Sequence, residues 1–206
     1  MTEKLSLGVA ARLSTYLRIL RQSKKQGMES ISSQEISEHA NVNPTQVRRD
    51  LSTFGKFGKR GVGYNIDGLI CEIQEILHSE GAHHLALVGA GKLGGAVATS
   101  SIFQEHGFHI AAIFDSDPHK IDSRVGDLVI RPASDIARVC QDLDVVVGVI
   151  AVPPDQAQRA ADALTAGQVK IIFNYTETLL AVPEDVTVHT INPAEEMLYA
   201  LYFYLT

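Results

Sequence analysis

Two short stretches carry groups that could do chemistry. The first is Gly89-Ala90-Gly91-Lys92-Leu93-Gly94, followed 21 residues after Gly94 by an acid, Asp115. A Gly-rich turn of this spacing can seat a pyrophosphate. Gly89 permits the tight turn, Gly91 lets backbone approach the phosphates, and Gly94 lets a helix press against a sheet. Unpaired N–H groups at the helix start then face the anion. Asp115 would accept hydrogen bonds from ribose hydroxyls, and Ser116 after it, in place of an arginine, favours NAD over NADP. The alternative is a sheet of this type that binds nothing.

The second stretch runs from Asn43 to Tyr64. Asn43 can cap a helix with Pro44 at its first position, where the missing N–H costs nothing. Val47, Leu51 and Phe54 fall at i, i+4 and i+7, so one face packs inward and Gln46, Arg48, Arg49 and Ser52 stay outside. On a helix lying in a DNA major groove these reach phosphates and base edges. Gly55, Gly58, Gly61 and Gly63 then punctuate Lys56, Lys59 and Arg60, a cationic hairpin beside a cationic helix. An ordinary helix with a solvated basic face is the plainer alternative. Charge distribution weighs against it: residues 1–66 hold 11 Lys/Arg and 5 Asp/Glu, residues 67–206 hold 7 and 19. A basic end on an acidic body suits a nucleic-acid contact at that end.

The elements that must position these groups follow from periodicity. Leu13, Tyr16, Leu17 and Leu20 share one face of a first helix over residues 8–26. A second helix follows over SQEISEHA, with Ser32 or Ser33 as cap, Glu35 as capping-box partner of Ser32, and Ile36 and Ala40 facing the core. A short turn at Asn41-Val42 leads to the Arg48/Arg49 helix, a helix-turn-helix that the hairpin extends to a winged helix. A helix over residues 67–77 and the polar boundary HSEGAHH close this domain, residues 1–80.

Leu85 to Val88 is a continuous apolar run, as in a strand buried on both faces, with a helix after the Gly-rich turn through Phe103. Strands are expected over 108–114, 128–130, 145–152, 169–173 and 186–190, and helices over 133–140 and from Pro153-Pro154-Asp155 to Ala166. The architecture is thus α/β: a winged-helix domain, then a Rossmann-like parallel sheet over 84–191. One rim of that sheet would gather Gly89–Gly94, Asp115, Val152-Pro153 and Asn174. Residues 192–206, rich in Met197, Leu198, Leu201, Tyr202 and Leu205, form a terminal helix so apolar that a partner subunit is the simple cover.

Composition narrows the class. With 45% hydrophobic and 20% charged residues, and no apolar run near the ~20 residues of a membrane span, a cytoplasmic protein with no membrane contact is expected. Cys71 and Cys140 stand apart, as packed thiols rather than a disulfide or metal pair. His83 and His84 precede the first strand, His109 lies within the second and His189 within the last, so none is expected at the crevice. With no catalytic constellation and no second catalytic domain, an NAD-dependent oxidoreductase is the weakest class. A CoA-type ligand stays open, because a Gly-rich turn holds any pyrophosphate.

The motifs RLSTYLRIL, SSQEI, QVRRDLSTFGKFGKRGVGYNI, LVGAGKLGGA, FDSDPHKI, AVPPDQAQ and IIFNY resemble the Rex family of redox-sensing transcriptional repressors over nearly the whole length. The resemblance implies a homodimer with two winged helices on an inverted-repeat operator in double-stranded DNA. It implies a sensor of the NADH/NAD ratio, in which NADH closes the dimer and releases DNA, and a C-terminal helix reaching the other subunit. By matched positions, Arg48, Arg49, Lys59 and Arg60 would contact DNA, with the Lys59–Gly63 wing in a minor groove; Thr45, Gln46, Lys56 and Gly61 complete the expected DNA-binding set. Gly89, Ala90, Gly91, Lys92, Leu93, Gly94, Asp115, Lys120, Val152, Pro153 and Asn174 would bind NAD(H). Four features depart from the family pattern: Ser100 in place of a tyrosine, Asn192 in place of an aspartate, Lys92 where some relatives have arginine, and Asn174-Tyr175-Thr176-Glu177 in place of a proline-containing turn. Loss of the ring and the charge implies a weakened redox response.

Overall fold

The computed structural model describes residues 5–55, 58–59 and 63–205, with backbone alone at 58, 59 and 203. It divides into two compact units, Met1–Glu80 and Gly81–Thr206. The first contains α1 (Leu7–Lys25), β1 (Ser30–Ile31), α2 (Ser33–Ala40), α3 (Pro44–Ser52), β2 (Gly58–Lys59), β3 (Gly63–Asn65) and α4 (Ile66–Ile76). Side chains set the helix starts. Ser32 Oγ accepts from Glu35 N while Glu35 accepts from Ser32 N, a complete capping box at α2. Asn43 accepts from Gln46 N at α3, and Asn65 from Gly68 N at α4. Asn41, in the left-handed region at φ 52°, ends α2 and turns the chain toward α3. Leu13, Tyr16, Leu17, Leu20, Ile36, Val47, Leu51, Leu69 and Ile73 bury together as the core. Each such side chain contributes about 1.5–3 kcal/mol. The strands form an antiparallel sheet in the order β1-β3-β2. β1 lies outside the sequence reading, since two residues carry no periodicity.

The second unit runs β4 (His83–Val88), α5 (Lys92–Ala98), β5 (Phe108–Asp115), β6 (Arg124–Val125), β7 (Leu128–Pro132), α6 (Ile136–Asp142), β8 (Val147–Ile150), α7 (Pro154–Ala166), β9 (Ile171–Asn174), β10 (Thr187–Thr190) and α8 (Pro193–Leu205). The sheet order is β10-β9-β8-β4-β5-β7-β6, with β6 antiparallel to β7 and every other pairing parallel. Alternation along β4 sends Ala86 and Val88 to a core shared with α6 and α7, and Leu85 and Leu87 to a second core that includes Val97 of α5. Both faces are covered, which is why the strand reads as an unbroken apolar run.

Several expectations require correction. His83 and His84 belong to β4 rather than preceding it, because parallel pairing with Phe108 and His109 recruits them. The helix after the Gly-rich turn stops at Ala98, not Phe103, and a 3₁₀ turn at Gln104–His106 follows. There Ser100 Oγ accepts from Ile102 N, a local alternative to helical bonding. Of the two cysteines only Cys140 is packed, and burial pushes its thiol up to about 11; Cys71 is exposed on α4.

Candidate functional site

In the second unit, β4, β5, β8 and β9 are neighbours and parallel, so their C-terminal ends share one rim. That rim brings together Gly89–Gly94, Asp115, the segment Ala151–Pro153 and Asn174. Crowding explains the glycines. Gly89 has φ +106°, and a Cβ there would lie 2.3 Å from Ala151 O. A Cβ on Gly94 would lie 1.8 Å from Gly89 O, so the first turn of α5 sits directly on the loop. Gly91 differs: a Cβ built on it meets nothing within 4 Å. The space beside Gly91 is open, and Gly91 caps α5 without a side-chain hydrogen bond. That fits a pyrophosphate approaching backbone N–H groups. Lys92 and Leu93 are exposed beside it.

Asp115 ties the rim together. Its Oδ2 accepts from Ala90 N at 2.8 Å and Lys120 Nζ at 3.0 Å, and its Oδ1 accepts from Asp117 N at 2.9 Å. Burial pushes this carboxyl up, but the hydrogen bonds from Asp117, Lys120 and Ala90 and the Lys120 charge outweigh it, and the pKa lies below the ordinary value. Ser116 Oγ donates to Gln156 Oε1 of α7 at 3.1 Å, a rim contact that the sequence reading does not contain. Val152 is half-buried and Pro153 exposed. Asn174 is fully buried, and its side chain is committed to its own loop: Nδ2 donates to Thr178 O, and Oδ1 accepts from Thr176 N and Oγ1. It shapes the rim through the loop rather than by presenting an amide to it. Asn192 accepts from Ala194 N and donates to Glu195 at the start of α8.

The histidines are placed elsewhere by packing. His84 Nδ1 is 2.6 Å from Leu143 O, His83 lies against Phe108, and His189 stacks on Phe173. Among the described residues no cluster of three His, Cys, Asp or Glu could hold a metal ion.

In the first unit, α3 presents Thr45, Arg48 and Arg49 to solvent, with Gln46 half-buried. Arg48 donates to Ser33 Oγ at 2.8 Å and Thr45 Oγ1 at 3.3 Å, which orients its guanidinium across α2 and α3. Arg49 makes no side-chain hydrogen bond or ion pair among the described residues. Of the expected wing residues, Lys56, Arg60 and Gly61 lie outside the described residues, and Lys59 is described by backbone alone, in β2.

What the sequence reading missed is Asp50. It sits on the inward face of α3 with its side chain 3% exposed. It accepts from Arg12 Nε at 2.6 Å, Arg12 Nη2 at 2.8 Å, Tyr16 OH at 2.8 Å and Gln46 Nε2 at 2.7 Å. Burial pushes its carboxyl up, and the hydrogen bonds from Arg12, Tyr16 and Gln46 with the Arg12 charge more than reverse this. The signal was available: Asp50 follows Val47 by three and precedes Leu51, so an acid stands in the apolar stripe and needs a buried partner.

The fold and these two sites define a class: a four-helix unit with a small antiparallel sheet, presenting a basic helix, joined to a doubly wound sheet with a dinucleotide-type turn. The family described as "Putative DNA-binding protein N-terminus" matches residues 4–52, and that described as "CoA binding domain" matches residues 81–178. A redox-sensing transcriptional repressor Rex of Rubrobacter xylanophilus is 41% identical over 98% of this chain and 94% of its own. One from Chloroflexus aggregans is 45% identical over 96% and 92%. The chain belongs to the Rex family of redox-sensing transcriptional repressors. A solved structure of RSP in complex with β-NAD+ and operator DNA superposes with a TM-score of 0.87 at 30% identity, covering 98% of this chain and 94% of that one. RSP in complex with β-NADH superposes at 0.85 and 29% identity, covering 98% and 95%.

Proposed function

We propose that this chain is a dimeric cytoplasmic repressor, not an enzyme, which binds an inverted-repeat operator through residues 1–80 and senses NADH against NAD+ through residues 84–191. Residues 192–206 serve as the dimerisation helix. The observation that carries the reading is the rim of the parallel sheet, where open space beside Gly91 adjoins a buried carboxylate at the end of the next strand. The residues fit the ligand. Gly89, Ala90, Gly91, Lys92, Leu93 and Gly94 would hold its pyrophosphate, Asp115 and Lys120 its adenosine ribose, and Val152, Pro153 and Asn174 would line the adjoining wall. Bound NAD(H) supplies a nicotinamide whose charge and shape differ between redox forms. Thr45, Gln46, Arg48 and Arg49, with Lys56, Lys59, Arg60 and Gly61 of the wing, supply the DNA contacts. RSP, the family member bound to both β-NAD+ and operator DNA, supports both halves of the reading.

A second ligand class deserves one arm of the test, since the second unit matches a family described by CoA binding. The experiment is titration of an operator complex with NADH, NAD+ and CoA separately. NADH is expected to weaken DNA binding more than NAD+, by less than about a hundredfold given Ser100 and Asn192, or ~2.7 kcal/mol. A response to CoA alone overturns the redox reading.

A further inference from the structure

We propose that Gln46 reads an adenine in the DNA major groove, and that Asp50 fixes the orientation of the Gln46 amide for that task. The inference rests on the DNA-binding reading above. Gln46 is the third residue of α3, and the N-terminal residues of such a helix are the ones that meet base edges. It is also the only amide side chain on that helix.

The end of the amide that faces inward decides what Gln46 can read. Asp50 takes two hydrogen bonds from the Arg12 guanidinium and one from the Tyr16 hydroxyl, in a site where its side chain is 3% exposed. A carboxylate clamped by a guanidinium is ionised, and an ionised carboxylate only accepts. Gln46 can therefore meet Asp50 only through its NH2, as the 2.7 Å contact from Nε2 to Oδ1 has it. Turning the amide over would set two oxygens against each other.

With one N–H committed inward, Gln46 keeps one N–H and its Oε1. Oε1 accepts no hydrogen bond among the described residues. One donor beside one acceptor on a planar group is the complement of adenine, whose N6 donates and N7 accepts in the major groove. Guanine presents two acceptors there, thymine an acceptor and a methyl group, and cytosine a donor alone. The neighbouring cations play another part. Arg48 is spread across Ser33 and Thr45, and Arg49 is exposed with no side-chain hydrogen bond among the described residues. Gln46 is thus the member of the set with an orientation imposed from inside the protein. Asp50 is a positioning residue: it touches no DNA and acts through Gln46.

The test is selection of bound sequences from a duplex library with a randomised core, using the full chain and its variants. The parent is expected to select a motif with adenine at one position of each half-site, where other bases lower affinity about 5- to 150-fold. Gln46→Ala should select the same motif with that position alone degenerate, and with an unchanged dependence on salt. In Asp50→Asn, the amide oxygen keeps the bonds from Arg12 Nε and Tyr16 OH, and the new NH2 stands where Oδ1 accepted from Gln46 and Arg12 Nη2, so the Nη2 bond is given up. Gln46 then turns over and shows two donors outward, so the preferred base changes from adenine to guanine. Melting curves establish whether Asp50→Asn folds; if it does not, Gln46→Ala decides. A Gln46→Ala profile identical to the parent's overturns the inference, as does a folded Asp50→Asn that keeps adenine. A parent that selects no motif removes the DNA-binding reading and this inference with it.

Discussion

At the scale of single residues, the three glycines of the turn make three different demands, and they separate cleanly in experiment. A Cβ added at Gly94 or at Gly89 would run into backbone, whereas one at Gly91 would face open space. Gly94→Ala is expected to destabilise the second unit, because backbone and not a flexible side chain must move; the melting transition reads this directly. Gly91→Ala should leave that transition within a degree or two of the parent. Its dinucleotide affinity, read by calorimetry, should fall at least tenfold, since the added methyl occupies the space beside the cap. Unchanged NADH affinity in Gly91→Ala would move the site elsewhere. The glycine spacing was legible in sequence, but the partners were not, because Ala151 lies 62 residues from Gly89 and meets it only across the sheet.

At the scale of elements, the joint between α1 and α3 is electrostatic at its centre. Arg12→Ala would leave Asp50 buried without its cation and is expected to cost on the order of 3 kcal/mol. Denaturant titration of the chain checks this, with a loss under 1 kcal/mol counting against it. The same joint should show in acid. Asp50 has its folded-state pKa depressed below the ordinary aspartate value. Its contribution is therefore complete above the unfolded pKa of about 4 and is lost as pH falls through the lower folded value. Operator binding and first-unit stability should decline together below about pH 4, and a folded Asp50→Asn should lack that component. Helix starts were readable because caps are local: Ser32 with Glu35, and Asn43 with Gln46, lie three residues apart. The Arg12–Asp50 contact spans 38 residues, and no local pattern names its partner.

At the scale of the whole molecule, α8 is the feature that a single chain leaves unfinished. Met197, Leu198, Leu201 and Leu205 are all exposed, Leu198 at 66% and Leu205 at 77%. No helix among the described residues is long and apolar enough to cross a membrane. A second copy is the proposed cover. Leu198→Asp with Leu201→Asp should convert a dimer to a monomer in sedimentation, with each unit still folded, and should abolish dependence of the melting temperature on protein concentration. A dimer that survives both substitutions would place the interface on another surface.

Sequence by itself determined what depends on neighbours along the chain. The G-x-G-x-x-G turn between strand and helix, the acid at the next strand end, the capped basic helix, the apolar terminal helix and the division of charge are all local patterns. Their periods of 2 and 3.6 residues follow from backbone geometry. Tertiary structure alone decided what depends on pairing across the chain. It drew His83 and His84 into a strand and ended α5 at Ala98. It also turned Asn174 into its own loop, put Lys120 on Asp115, and buried Asp50 under Arg12 and Tyr16. The physical reason is the same in each case. A polar group taken out of water must find a partner, and the partner comes from whichever element packs against it.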